Sequence, residues 1–327
     1  MTTSPPQPAT APAIRVHWPD APAAPQDLVC PNCGAEGPKP RLLDVAWTAP
    51  KLPRGDRKPV LACPACTARF YPPLRVPNYG DPDVMDWGWH QFHIQHGAGL
   101  VAITRLLGRI ARKPGTRCLE IGCGYGFGLD FARHAMGWTC LGIDPSPMAR
   151  VGAADLGLDI VDGYFPDALP DAAPWDVIAA TEVIEHVQRP AALLAELRAR
   201  LAPDGILLLT TPDGAAIDRA TPETDLAQLL APGIHMVFQT EASLRRLLES
   251  AGFANVRVGR EGFTLVAYAG ATRGALAEDD AAQRPRFRAW LADRARALDP
   301  VSDPGLGFAA RALFEAAVDL DWPAAAA

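Results

Sequence analysis

The sequence predicts a doubly wound α/β fold on a seven-stranded sheet whose last strand runs antiparallel, with a small four-cysteine module ahead of it and a helical appendage behind. Three observations predict it. Strand-like and helix-like runs alternate from Arg117 to about Ala269, two tight cysteine pairs precede them, and Ala, Arg and Asp with helical apolar spacing follow Gly270. The 327 residues suffice for one large core with small additions. Hydrophobic residues make up 49% and charged residues 21%, which are globular proportions, and a formal net charge of −6 offers no field to draw a polyanion. Nucleic acid is therefore disfavoured as a partner. No apolar run reaches the roughly 18 to 20 residues of a membrane span, and the N-terminus lacks a signal peptide's basic-then-apolar order, so no membrane partner and a cytoplasmic location are expected.

Residues 1–26 are dominated by Pro, Ala, Thr and Ser and read as a disordered leader. Residues 27–80 carry Cys30-Pro31-Asn32-Cys33 and Cys63-Pro64-Ala65-Cys66 with few periodic apolar positions, so something other than a core must staple them. Each pair forms a knuckle that offers two thiolates from a tight turn, and Cys30, Cys33, Cys63 and Cys66 together complete a tetrahedral shell. That closed shell points to structural zinc, with a redox pair or an iron site as alternatives. The 29 residues between the pairs are ascribed to an enlarged loop around Lys51 to Lys58.

Residues 81–270 are expected to form the main domain. A lead-in helix is expected over His90 to Lys113, with Ile94, Val101, Ile103, Leu106, Leu107 and Ile110 on one face and Pro114-Gly115 as its stop. His90, His93 and His96 drift round that helix by about sixty degrees per step and do not suit one ion; Trp87 and Trp89 read as core residues, with a place at a substrate mouth as the alternative. Strands are expected at Cys118–Ile121, Thr139–Ile143, Asp159–Val161, Val177–Ala180 and Ile206–Thr210, and helices at Phe127–Met136, Pro147–Leu156, Ala191–Leu201 and Glu241–Ser250. Val256–Gly259 and Phe263–Tyr268 are close enough for a hairpin, which makes the sheet finish antiparallel. Residues 271–327, with Phe287, Trp290, Leu291, Phe308, Leu313 and Phe314 at helical spacing, form the appendage.

The segment from Cys118 to Gly128 leaves a strand, turns on Gly122, Gly124 and Gly126, and opens a helix, so a ligand can approach the backbone closely. A dinucleotide fingerprint requires a glycine where Phe127 or Leu129 stands, and a phosphate loop requires Lys with Ser or Thr where Leu129 and Asp130 follow. The acidic Glu120 beside the turn suits a ligand with a cationic end. S-adenosylmethionine has an ammonium and a sulfonium. Asp144 ends the next strand where a ribose diol can meet it, and Asp162, Gly163 and Tyr164 end the third near an adenine. Glu182 stands at the end of the fourth strand, facing the same cofactor. Cys118, Cys123 and Cys140 read as small buried residues.

Leu119-Glu120-Ile121-Gly122-Cys123-Gly124-Tyr125-Gly126 resembles the first motif of class I methyltransferases, and Gly142-Ile143-Asp144 resembles the second. The run from Trp175 to Val187 is similar to the fourth-strand motif of the branch that includes ubiquinone-type O-methyltransferases and sugar methyltransferases, as is Leu201 to Thr210 to that branch's next turn and strand. The resemblance covers roughly Leu100 to Ala269. It implies a Rossmann-like fold and methyl transfer from S-adenosylmethionine to a small-molecule acceptor such as a nucleotide sugar or glycan intermediate. His186 is the expected general base, with Glu185 orienting it and His235 a second candidate. A cysteine module ahead of such a domain resembles the sugar C-methyltransferases, although too few residues follow Ala269 for their further C-terminal domain. The alternatives are an RNA methyltransferase and a non-catalytic adaptor on the same scaffold. Oligomeric state has no sequence signal.

Overall fold

A computed structural model describes residues 14–21, 23–47, 57–72, 75–85, 94, 101–169, 174–272, 276 and 280–319. Its N-terminal part forms β1 (Ile14–His17), a ribbon of β2 (Gln26–Asp27) and β3 (Pro38–Lys39), then β4 (Arg41–Trp47), β5 (Lys58–Ala62) and β6 (Arg69–Phe70). Helix α1 (Ala102–Gly108) leads into β7 (Arg117–Ile121), α2 (Phe127–Met136), β8 (Thr139–Ile143), α3 (Pro147–Leu156), β9 (Ile160–Val161) and β10 (Trp175–Thr181). There follow α4 (Pro190–Arg200), β11 (Leu201–Pro212), α5 (Glu223–Leu230), β12 (Val237–Phe238), α6 (Glu241–Ser250), β13 (Asn255–Glu261) and β14 (Thr264–Gly270). Helices α7 (Asp280–Ala297) and α8 (Asp303–Asp319) close the described chain.

The large sheet has the order β13-β14-β11-β10-β7-β8-β9, parallel from β11 to β9, with β14 antiparallel to both its neighbours. Its central strands are apolar on both faces, as burial between two helical layers requires. Val177, Ala179 and Leu208 pack with α1, α2 and the C-terminal helices, whereas Leu119, Ile178, Ala180, Leu207 and Leu209 pack with Leu194 and Leu197 of α4 and Leu244 and Leu248 of α6. Local signals set the helix ends. Ser146 caps α3 by accepting the Ala149 N–H with Pro147 in the first turn, Thr240 and Ser243 form a reciprocal capping box on α6, and Gly137 and Gly157 end α2 and α3 in the left-handed conformation.

Helices α2, α3 and α6 and strand β8 lie where the residue pattern puts them. Strand β11 differs, starting at Leu201 rather than Ile206. Its pairing with β10 jumps from Trp175–Leu201 to Val177–Ile206, so the Pro203-Asp204-Gly205 stretch is an irregularity inside the strand. The leader also differs, because Ile14 to His17 pair with β4 and Ile14 is fully buried. Residues 1–13 and 48–56, and His90, His93, His96, Trp87 and Trp89, lie outside the described residues.

The small sheet, ordered β1-β4-β5-β6-β12, takes its last strand from the main domain. Ile14, Leu43, Val45, Val60 and Tyr71 share a core with Leu226, Leu229 and Leu230 of α5 and with Phe238. The segment Pro212 to Gly233, which interrupts the strand and helix rhythm, thus folds as α5 against the module. On the other flank, α7 and α8 cover α2. The Trp290 Nε1–H donates to Asp130 Oδ1 at 2.7 Å, Arg294 reaches Asp130 Oδ2 at 2.8 Å, and the Trp290 and Phe308 rings meet edge-on at 5.0 Å. Asp130 has no exposed side chain, so its charge depends on that partner.

Helix α3 touches the chain just before α2 through Gly152, where a Cβ would stand 2.0 Å from the Tyr125 carbonyl oxygen. Backbone cannot yield as a side chain can. Gly152→Ala is expected to destabilise the protein by about 3 kcal/mol, the upper end of overpacking costs, read as a lower denaturant midpoint; an unchanged midpoint contradicts the contact.

The crevice at the carboxyl edge of the large sheet

Strand order reverses at β7, so the ends of β7, β8 and β10 open a crevice of the kind in which such sheets bind ligands. Gly122, Gly124 and Gly126 have φ of +68°, +52° and +80°, the left-handed region that only glycine enters without strain. A Cβ on Gly122 would lie 2.7 Å from Val183, whereas one on Gly124 would meet nothing within 4 Å. The turn is therefore open at Gly124, and Gly126 is the N-cap of α2.

Glu120 lies beneath that turn and is 3% exposed. It accepts the Leu129 N–H, and its Oε2 has no hydrogen-bond partner. The lack of a side chain on Gly128 makes room for it, since a Cβ there would sit 2.7 Å from Oε2. Burial, with the charge of Asp144 nearby, pushes its pKa up to about 8. The buried Asp144 ties two loops together: its Oδ2 accepts the Gly124 N–H at 2.8 Å and its Oδ1 the Ser146 N–H at 2.7 Å. A carboxylate has about four acceptor positions, so two stay open. Asp162, half exposed, instead faces Arg150 at 2.8 Å. Gly163 has φ of +151°, and a Cβ there would press on Ala168. The Tyr164 hydroxyl accepts the Tyr79 N–H at 2.9 Å and lies 3.2 Å from Asn78 Oδ1, to which it donates.

The second half of the crevice follows β10. Glu182 has φ of +54°, and its Oε1 accepts from Thr210 Oγ1 at 2.8 Å. Glu185 is buried; its Oε2 accepts from Thr211 Oγ1 at 2.9 Å and its Oε1 has no hydrogen-bond partner. His186 Nε2 is 3.5 Å from that orphaned oxygen, and the His186 and His235 rings meet edge-on at 4.9 Å. His235 Nδ1 is 2.8 Å from the Leu229 carbonyl, and His186 Nδ1 is 2.7 Å from the Tyr79 hydroxyl, which also reaches the Ile234 carbonyl at 3.2 Å. Backbone bonds hold these segments in place, since the Met236 N–H donates to the Glu185 carbonyl at 2.7 Å and the Tyr71 N–H to the Met236 carbonyl at 3.0 Å.

The structure thus brings Glu120, the three glycines and Asp144 into one half, and Glu182, Glu185, His186 and His235 into the other. Sequence reasoning missed Tyr79, Thr210 and Thr211. Only the turn chemistry of Asn78-Tyr79-Gly80-Asp81 marks the first, while both threonines read as ordinary strand residues.

The thiolate cluster lies beside β6. The Cys30 and Cys66 sulfurs are 3.8 Å apart, as are those of Cys33 and Cys63, and all four lie within 4.8 Å of one another. Zinc–sulfur bonds of about 2.3 Å set the edges of a tetrahedron at about 3.8 Å, so the spacing fits zinc. Each knuckle turns on a backbone bond, Gly34 N–H to the Cys30 carbonyl and Thr67 N–H to the Cys63 carbonyl. The knuckles also dock on α6. Gln239 Nε2–H donates to Asn32 Oδ1 at 2.7 Å, and Arg246 Nη1–H to the Ala65 carbonyl at 2.5 Å.

Burial first, then the neighbouring His235, lowers the pKa of His186 to about 3, and burial lowers that of His235 to about 4. Both rings are neutral at pH 7. With folded pKa values below the unfolded 6.5, their contribution is full above about pH 6.5 and is lost as pH falls toward 4. Unfolding free energy is expected to drop in that window by up to about 1.4 kcal/mol per pH unit for each histidine, and His235→Asn should flatten the slope by one such contribution; parallel wild-type and variant curves contradict it.

The methyltransferase-domain family matches residues 94–258, half of the chain. A protein of Mycolicibacterium smegmatis named as an S-adenosylmethionine-dependent methyltransferase is 33% identical over 199 residues, which are 59% of this chain and 66% of that one. The chain therefore spans just under two thirds of that relative's length. The ubiquinone biosynthesis O-methyltransferase of Dinoroseobacter shibae is 34% identical over 184 residues, 50% of this chain and 73% of its own. Among solved structures, a chain from the Haloferax volcanii complex of the Trm112 methyltransferase activator with a methyltransferase aligns over 61% of this chain and 100% of its own, at 18% identity and a TM-score of 0.48. No helix among the described residues is long and apolar enough to cross a membrane.

Proposed function

This chain belongs to the class I S-adenosylmethionine-dependent methyltransferases, and from that membership we propose that it transfers a methyl group from S-adenosylmethionine to an oxygen of a small molecule. The observation that carries the proposal is the buried, unpaired Oε2 of Glu120 beside a glycine turn open at Gly124. A buried carboxylate oxygen without a partner is costly, and a cationic ligand end relieves it. Glu120 would hold the ammonium, Gly122, Gly124 and Gly126 would let the chain approach, and the free acceptor positions of Asp144 would take the ribose diol. Gly163 and Tyr164 would border the adenine, with Asp162 reaching it only by leaving Arg150. The sulfonium, when bound, makes its methyl carbon electrophilic. The protein's share is alignment of the acceptor against that carbon and removal of its proton.

The acceptor is proposed to lie against Glu185, His186 and His235, with Glu182 between it and the cofactor. Relatives named for O-methylation favour a hydroxyl acceptor, and a nucleotide sugar or glycan intermediate fits that chemistry. The four thiolates are proposed to hold one structural zinc, whose closed shell leaves no place for substrate. An adaptor on this scaffold has no use for an unpaired buried carboxylate at an open turn.

Calorimetry with S-adenosylmethionine tests the crevice. Micromolar binding is expected, lost in Asp144→Ala; His186→Ala should bind the cofactor and lose turnover, and the absence of heat from the wild type would end the enzymatic reading. Because Glu120 is mostly protonated near neutrality, binding at about pH 6.5 should release close to one proton, seen as a dependence of the heat on buffer ionisation, and none in Glu120→Gln. Chelation of the zinc should lower the melting temperature and uncouple the small sheet.

A further inference from the structure

We propose that the two C-terminal helices clamp the cofactor turn, with Tyr125 and Asp303 as positioning residues that hold Gly122 to Gly126 ready for S-adenosylmethionine. The proposal rests on the cofactor reading above and adds to it a role for α7 and α8, which lie outside the residues 94–258 that the family matches.

A turn built on three glycines of positive φ is as easy to leave as to form, because glycine loses more conformational freedom on ordering than any other residue. What keeps it in place must come from its surroundings. On the sheet side the Gly124 N–H donates to Asp144 and the Gly126 N–H to the Cys123 carbonyl at 2.8 Å. On the outer side the grip passes through Tyr125, which stands between Gly124 and Gly126. This residue is 1% exposed, and its hydroxyl donates to Oδ2 of Asp303, in the first turn of α8, at 3.1 Å. Burial, then the nearby Asp303 charge, pushes the phenol well above its usual range, so it stays a donor.

Further contacts extend the grip along α2. The Tyr125 and Phe127 rings lie 5.5 Å apart, Phe127 meets Phe308 of α8 edge-on at 5.5 Å, and Phe131 meets Trp290 of α7 edge-on at 5.2 Å. Asp130 accepts from Trp290 and pairs with Arg294 between them. The placement of α2 matters to the ligand, because this helix carries the Leu129 N–H that Glu120 accepts and the Gly128 that leaves Glu120 its room. A shift of the turn or of α2 therefore moves both the glycine backbone and the carboxylate assigned to the ammonium. A turn already ordered in the free protein has little freedom left to lose when the cofactor arrives, and the difference appears as affinity. Tyr125 and Asp303 act through that backbone rather than on the ligand itself.

Hydrogen exchange on the full chain as purified, without S-adenosylmethionine, tests the clamp directly. Tyr125→Phe, which removes only the hydroxyl, and Asp303→Ala are expected to speed exchange in the peptide over residues 122–129 and to leave the small sheet as in the wild type. Asp303→Asn, which keeps an acceptor oxygen, should stay near the wild type. In calorimetry Tyr125→Phe and Asp303→Ala should each bind S-adenosylmethionine about tenfold more weakly, the change that goes with one hydrogen bond. The double variant should bind no more weakly than either, since both changes remove the same contact. Wild-type exchange over residues 122–129 in both variants overturns the proposal, as do exchange raised equally throughout the chain, wild-type affinity in both, or additive losses in the double variant. An absence of heat from the wild type sinks the cofactor reading alone, and exchange still decides whether the helices hold the turn.

Discussion

Two residues of backbone pairing join the halves of this molecule. Strand β12 adds to the edge of β6, and the Met236 N–H reaches back to the Glu185 carbonyl, so one short segment is hydrogen-bonded to the cysteine module on one side and to the end of β10 on the other. Buried backbone groups must be paired, and here the pairing fixes geometry as well. Because His235 directly precedes Met236, its ring is held beside His186 by the same bonds that dock the module. The thiolate cluster packs with Phe70 of β6 and Val237 of β12, next to the segment that carries His235.

The two halves of the crevice meet the same electrostatic problem with different partners. Glu120 and Glu185 are both buried carboxylates with one oxygen satisfied and one without a partner. A native interior tolerates few such groups. One lies under an open glycine turn and the other beside the His186 imidazole. Asp130 shows the contrast. It is equally buried, but the Arg294 guanidinium pairs with its charge and Trp290 donates to it from within the chain, which ties α7 to α2.

The glycine turn, Asp144 and the cysteine knuckles were legible because each depends on short-range chemistry. Positive φ at Gly122, Gly124 and Gly126 and two thiolates per tight turn are written into a few consecutive residues. Period and caps likewise placed α2, α3 and α6. The irregular start of β11 was not legible, since its register is set by β10 across the sheet, and β1 was lost in a leader whose composition masked Ile14 and Val16. For Asp162 the strand-end position was visible and the pairing with Arg150 was not, because that depends on how α3 packs over β9.

The sequence by itself determined the α/β architecture, the crevice at the ends of β7 and β8 and the four-sulfur cluster, because periodicity, glycine conformation and thiolate spacing are local properties of the chain. Only the tertiary structure decided that the cysteine module shares a sheet with the main domain, that Tyr79 crosses to His186, and that His235 stands next to Glu185. Those contacts join residues 50 to 169 positions apart, and such distances are closed by burial and backbone pairing, which no window of sequence displays.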